Sequence, residues 1–279
     1  MGTQTEELYL DLLKKALSYS LWPEPGIPIE AFDRARPPIT RYAARLISRV
    51  FRSRHLQLVK QTDATAEKRA DGSIWPGYAD TMIGLKRLEN IQFCLETAIR
   101  EKVEGDCVET GVWRGGACIL MRGVLAAHGI RDRKVFVADS FMGLPRPDPV
   151  KYPADKDDRH FTQEFLAVSQ EEVENNFRKY GLLDDQVVFL KGWFAETLPK
   201  APIEKLAVLR LDGDMYGSTM DALTNLYPKL SKGGFCIIDD YALEGCRKAV
   251  DDFRSENGIR SELGIVDWTG RYWRKEAPI

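Results

Sequence analysis

The chain has 279 residues and carries 40 basic against 42 acidic side chains, a formal net charge of −2. This balance excludes the surplus of Lys and Arg with which nucleic-acid binders neutralise phosphates. No segment approaches the roughly 20 apolar residues of a membrane span, and the first residues lack the basic start and apolar run of a signal peptide. The expectation is a cytoplasmic protein, made of one large α/β domain with an extension or of two small domains, with small or neutral partners and neither nucleic acid nor membrane among them.

From the start of the chain, "ELYLDLLKKALSYSLW" predicts a helix with Tyr9, Leu12, Leu13, Ala16 and Leu17 on one face, and "PEPGIPIE" breaks it. "ITRYAARLISRVFRSRHLQLV", from residue 39, is a second amphipathic stretch with a basic outer face, read as solvated. "KQTDATAEKRADGSIWPGY" reads as a connector. The pattern sharpens at "TMIGLKRLENIQFCLETAIREK", a long helix with Thr81 as candidate N-cap and Ile83, Leu88, Ile91, Leu95 and Ile99 along its apolar side.

Five short apolar runs follow, at 106–110, 134–139, 186–190, 206–212 and 233–239, alternating with helical stretches near 115–129, 169–181, 218–230 and 244–256. This alternation predicts a mostly parallel sheet covered on both faces. The tail "GIVDWTGRYWRK" predicts two strands around "TG", an antiparallel hairpin closing one edge. Between residues 143 and 165 runs "GLPRPDPVKYPADKDDRHFTQEF", a length of connection that inside a compact domain is a lid or is disordered. Cys94, Cys107, Cys118, Cys236 and Cys246 show no CxxC spacing and read as reduced core residues, while His55, His128 and His160 are too few and scattered for a zinc site.

In a sheet of this kind a ligand sits beyond the carboxyl ends of the strands. There "VETGVWRGGA" joins the first strand to a helix through Gly111, Gly115 and Gly116, which suits close backbone approach to a ligand or simply a tight turn. Asp139, at the end of the second strand, stands where nucleotide-binding βαβ units hold a ribose, although an acid there also serves as a helix cap. Asp212, Asp239 and Asp240 end two further strands. Like charges crowded at one rim are compensated most simply by a hard cation such as Mg²⁺, and the bland alternative is that they cap the helices that follow.

These blocks, together with "YLDLLKKAL", "ADSFMGLP", "YGLLDDQVVFLKGWFAETLP", "LRLDGDMYGST" and "GGFCIIDDY", run in order over most of the chain. They resemble the macrocin O-methyltransferase family of antibiotic biosynthesis. The resemblance implies a Rossmann-like class I methyltransferase fold: a mostly parallel seven-stranded sheet with the antiparallel hairpin, over residues 81–279, preceded by an N-terminal helical extension over 1–80 that serves as lid or oligomerisation segment. It implies an S-adenosylmethionine- and Mg²⁺-dependent enzyme, a homo-oligomer, that methylates a hydroxyl of a deoxysugar on a glycosylated natural product. By resemblance, Met82, Glu109 and Gly111 border the methionine end of the cofactor, Asp139 binds its ribose, and Ser140, Phe141, Gly192 and Trp193 border its sugar and adenine. Asp212, Asp239 and Asp240 hold the metal, with Asp212 the first candidate for catalytic base and a metal ligand only as its plain alternative; a lid of this kind closes over the substrate, which puts Arg146, Tyr152 and His160 against the sugar, the alternative for His160 being a solvated loop histidine. Met215 stands where related catechol enzymes carry a lysine, which disfavours the nearest alternative acceptor, a phenolic or catechol-like aglycone.

Overall fold

Helix α1 (Gln4–Leu17) starts at a reciprocal cap: the Thr3 hydroxyl accepts from the Glu6 N–H, and the Glu6 carboxylate accepts from the Thr3 N–H. Its buried line is Leu10, Leu13 and Leu17; Tyr9 and Leu12, expected on that face, are 39% and 56% exposed. The neighbouring helix sets this rotation. Leu13 seats in a notch at Gly123, where an added Cβ would lie 2.4 Å from the leucine Cδ2. These positions belong to a computed structural model that describes residues 3–29, 38–61, 63, 65–74 and 77–276. Glu30 of the expected break, and Thr62, Ala64, Trp75 and Pro76 of the expected connector, lie outside them.

A two-residue strand β1 (Ile27–Pro28) pairs with β2 (Val59–Lys60) on either side of α2 (Pro38–Arg52), and the short α3 (Ala66–Asp71) follows, capped by Thr65. Helix α4 (Leu85–Arg100) begins three residues later than a cap at Thr81 promised. The Thr81 hydroxyl instead accepts from the Ile83 N–H at 3.4 Å, a local bend that carries Met82, and Gly84 takes the N-cap place. A short polar side chain that bonds its own next turn competes with helix entry in this way.

The remaining elements alternate as read: β3 (Asp106–Thr110), α5 (Gly116–Ala127), β4 (Val135–Asp139), α6 (Gln170–Lys179), β5 (Val187–Lys191), α7 (Phe194–Thr197), β6 (Leu206–Leu211), α8 (Tyr216–Leu226), β7 (Leu230–Ile238), α9 (Glu244–Glu256), β8 (Gly264–Ile265) and β9 (Arg271–Arg274). They build the expected seven-stranded sheet in the order β5-β4-β3-β6-β7-β9-β8. β5 to β7 run parallel, and β9 is antiparallel to both β7 and β8.

Successive strand residues face opposite layers. Cys107, Val135, Val137, Val208 and Phe235 join α1, α4 and α5 in one apolar cluster, while Val108, Phe136, Leu209, Leu211 and Cys236 join α8 and α9 in another. Both faces are therefore covered, as a parallel sheet requires. All five cysteines are buried and unpaired. Strand order reverses between β3 and β6, the switch point where loops part and leave room for a ligand.

Candidate active site

At that reversal a cavity of about 410 Å³ opens over the carboxyl ends of the strands, within the usual range for a small-molecule site. The turn after β3 borders its floor. Gly111 adopts φ +82° with its Cα so close to β6 that a Cβ would come within 1.7 Å of the Asp212 carbonyl oxygen. No side chain fits there, so this glycine answers to packing as well as to any ligand. Asp139, at the tip of β4, accepts from the backbone N–H groups of Val112 (2.8 Å) and Phe141 (2.7 Å). It thereby ties the two adjacent loops together, and burial raises its carboxyl above the usual range against those bonds.

Of the residues expected around a cofactor, Met82, Glu109, Gly111, Asp139, Ser140, Gly192 and Trp193 all line this cavity. Phe141 does not: its backbone turns at φ +56° and its ring, 6% exposed, packs in the core 6.1 Å from Phe189. Ser140 spends its hydroxyl within its own turn, donating to Gly143 O at 2.6 Å.

The acids sort themselves differently from the reading of the sequence. Asp212, Asp214 and Asp240 converge, with one carboxylate oxygen from each within 4.8 Å of the others, all half-buried. Asp239 stands beside them but turns its oxygens to two arginines, Arg87 from α4 and Arg210 from β6. Arg210, 1% exposed, also donates to Glu109 and, at 3.0 Å, to Asp212. Arg87 donates in addition to Asp267 at 2.8 Å. Beneath the site there is thus a buried ionic chain from Glu109 through Arg210, Asp239 and Arg87 to Asp267. None of Asp214, Arg210 and Arg87 was singled out from the sequence. The available signal was Arg210, a lone cation inside the apolar run "LAVLRLD", which in a covered sheet has to meet acids on neighbouring strands.

Burial, then neighbouring negative charge, pushes Asp212 up to about 6 and Asp214 up to about 7, and lifts Asp240 well above the carboxylate range. Glu109 rises to about 7 by burial, opposed by Arg210 and by the Cys118 thiol that donates to it at 2.8 Å. Three half-buried carboxylates whose charges oppose one another, facing an open cavity, form a donor set that suits a hard divalent cation with room left for further oxygen ligands.

The long connection after β4 forms the roof. It folds through short 3₁₀ turns at Pro153–Asp155, His160–Thr162 and Glu164–Leu166, and Arg146, Tyr152 and His160 line the cavity as expected. His160 Nδ1 lies 2.7 Å from Asp158 Oδ2. Asp155, 2% exposed, latches the roof: its carboxylate accepts from the N–H groups of Tyr216 (2.7 Å) and Gly217 (2.8 Å), the open first turn of α8. Trp113, in the turn after β3, donates its indole N–H to Phe165 O at 3.0 Å. Asp155→Ala is expected to cost about 1 kcal/mol, as loss of a helix cap does, and to quicken proteolysis within residues 146–166. Cleavage at the wild-type rate would show that other contacts hold the roof.

Comparison with known proteins adds an independent line. The family described as Macrocin-O-methyltransferase (TylF) matches residues 6–275. The 8-demethyl-8-(2,3-dimethoxy-α-L-rhamnosyl)-tetracenomycin-C 4'-O-methyltransferase of Streptomyces olivaceus is 47% identical over 278 residues, 99% of this chain and 96% of that protein. The demethyldecarbamoylnovobiocin O-methyltransferase of Streptomyces niveus is 48% identical over 272 residues, 96% of this chain and 93% of its own. Among solved structures, the O-methyltransferase NovP superposes with a TM-score of 0.83 at 47% identity, covering 98% of this chain and all of that one.

Proposed function

Because the chain belongs to the macrocin-O-methyltransferase family, we propose that it carries a methyl group from S-adenosylmethionine to a hydroxyl of a deoxysugar on a glycosylated natural product, in antibiotic biosynthesis, with Mg²⁺ as the activating ion. That it is an O-methyltransferase follows from the family and the relatives. The observation that carries the finer reading is the meeting of Asp212, Asp214 and Asp240 in the same cavity that Glu109, Asp139 and Trp193 line.

The cofactor half lies along β5, β4 and β3. Here Asp139 is suited to a ribose, Glu109 and Met82 to the methionine end, and Trp193 with Gly192 to the base; Ser140 and the backbone of Phe141 shape that turn. When bound, the cofactor supplies a sulfonium methyl, an electrophile that needs an in-line oxygen. Asp212 and Asp240 are common to the expected triad and the observed cluster, and we assign them to the metal. Asp239 keeps the neighbouring place as the third expected ligand, held ready on Arg87 and Arg210. When bound, a divalent cation lowers the pKa of an acceptor hydroxyl. Asp212, committed to Arg210 at 3.0 Å, is a poorer proton acceptor than its position in the sequence suggested. Asp214, in the same cluster and facing the roof, is better placed to take the hydroxyl proton. Met215, 4% exposed, brings no ammonium to the site, which argues against a phenolic acceptor.

The test is calorimetry with S-adenosylmethionine followed by methyl-transfer assays on glycosides with Mg²⁺ and with chelator. Micromolar binding, about −8 kcal/mol, lost in Asp139→Ala, and chelator-sensitive transfer to a sugar hydroxyl are expected. A folded sample that binds no cofactor would sink this reading.

The other expectations stand as proposals too. Tyr42, Leu46, Ile47 and Val50 of α2 form an apolar stripe between 48% and 72% exposed, which supports the role of the first 80 residues in self-association into a homo-oligomer. No helix among the described residues is long and apolar enough to cross a membrane, in keeping with cytoplasmic work on a small-molecule substrate.

A further inference from the structure

The cavity has a far end that neither the cofactor residues nor the carboxylates account for. Its lining continues past Asp239 and Asp240 to Gly72, Trp268 and Thr269. Four inter-strand steps separate β4, which carries Asp139, from β9, roughly 19 Å at about 4.8 Å per step. The first residue of β9, Arg271, is level with Ile238 at the tip of β7. The turn that carries Trp268 therefore borders the carboxylates on the side away from the cofactor.

This turn is fixed from several directions. Asp267 accepts from the N–H groups of Thr269 (3.0 Å) and Gly270 (2.6 Å) on one oxygen and from Arg87 on the other. The Thr269 hydroxyl donates to Asp239 O at 2.9 Å and accepts from the Ala242 N–H at 3.2 Å. Trp268 spends its single polar atom on Asp71 O, at 3.0 Å. The indole is thus held in place with its donor satisfied, and it remains 57% exposed while lining the cavity. A large ring kept bare by a rigid turn costs apolar hydration unless something covers it, and its face suits the flat or C–H-rich side of a ligand.

We propose that Trp268 is the platform on which the aglycone side of the acceptor packs, and that it selects acceptors with a large aglycone over small glycosides of the same sugar. This rests on the reading of the acceptor as a glycoside. A sugar whose hydroxyl lies at the carboxylates of β6 and β7 has its next substituent one strand step farther out, about 4.8 Å, over the indole.

The experiment compares wild type, Trp268→Ala and Trp268→Phe on two probes with the same sugar: 8-demethyl-8-(2,3-dimethoxy-α-L-rhamnosyl)-tetracenomycin C and methyl 2,3-di-O-methyl-α-L-rhamnopyranoside. The truncation to alanine should raise KM for the tetracenomycin glycoside about 10-fold or more, as loss of a central aromatic contact does, with kcat within about 2-fold. KM for the methyl glycoside should move less than about 2-fold, so the preference between probes narrows. The phenylalanine variant should recover most of the affinity, and calorimetric binding of S-adenosylmethionine should stay at the wild-type value in both. Transfer by wild type with KM unchanged in Trp268→Ala overturns the proposal alone. A loss of cofactor affinity together with a rise in both KM values, unrescued by phenylalanine, overturns it by making the turn purely structural. Methylation of neither probe by wild type, with methyl transfer to a phenolic acceptor in its place, overturns the glycoside reading, and the platform with it.

Discussion

Asp240→Ala should lose about three orders of magnitude in kcat, the range seen when a positioned proton acceptor or charge stabiliser is removed, while the protein stays folded. The carboxyl of Asp240 is held well above its ordinary range by burial and by the charges of Asp212, Asp214 and Asp239, so the protein without divalent ion carries a local repulsion that the substitution relieves. The thermal midpoint without metal is therefore expected to equal or exceed that of wild type, and the rise in midpoint expected of wild type in Mg²⁺, if the ion binds the folded state alone, should be absent. Stability and activity moving in opposite directions is the signature of a site kept strained for function. Wild-type turnover in Asp240→Ala would show that the cluster is not the reacting centre. The companion variant Asp214→Asn separates the roles: it should abolish transfer as well but keep most of the Mg²⁺-dependent rise in midpoint, because Asp212 and Asp240 remain.

Arg210→Met is expected to have the opposite signature. Among the described residues, its guanidinium is the partner that joins Glu109, Asp212 and Asp239, and its removal leaves the buried Glu109 without a cation, takes one of two arginines from Asp239 and unpairs Asp212. Breaking a buried ion pair from one side costs about 3–5 kcal/mol, which should appear as an equal loss in unfolding free energy from urea titration. Arg210→Lys restores the charge but offers one compact ammonium in place of a planar fork, so it should recover only part of the loss. A stability within about 0.5 kcal/mol of wild type in the methionine variant, the range of ordinary surface changes, would mean that the ionic chain contributes little.

How much of this was legible follows from which physics each residue obeys. The strands and most helices were readable because a covered parallel sheet leaves unbroken apolar runs and its helices leave amphipathic ones; α9 falls at residues 244–256 as read. Thr81 misled because its hydroxyl is the right chemistry for a cap, and only the tertiary bend at Met82 moves the helix start to Gly84. Tyr9 and Leu12 misled because several rotations of α1 give an apolar face, and the choice was made by the notch at Gly123 on a helix more than a hundred residues away. At the rim, the acids as a group were visible from their places at strand ends. Which of them meet was not. Asp214 sits in "DGDMYGST", indistinguishable from a turn residue, and enters the cluster because its backbone adopts φ +55°. Asp239 looked like its neighbour Asp240, yet successive residues leave a strand on opposite sides, and only one of the two falls beside Arg87 and Arg210.

The bonds from Asp155 to Tyr216 and Gly217 have a dynamic meaning. Helix α8 starts two residues after Asp214 and has no side-chain cap from its own N-cap residue, Met215. Its missing acceptor is lent by the roof, sixty residues earlier in the chain. If the roof lifts, the amides of that first turn lose this acceptor to water, and the turn that follows Asp212 and Asp214 would be free to fray. Closing of the roof would then stiffen the loop that bears Asp212 and Asp214 in the same step, so that access to the cavity and order at its acids would rise and fall together.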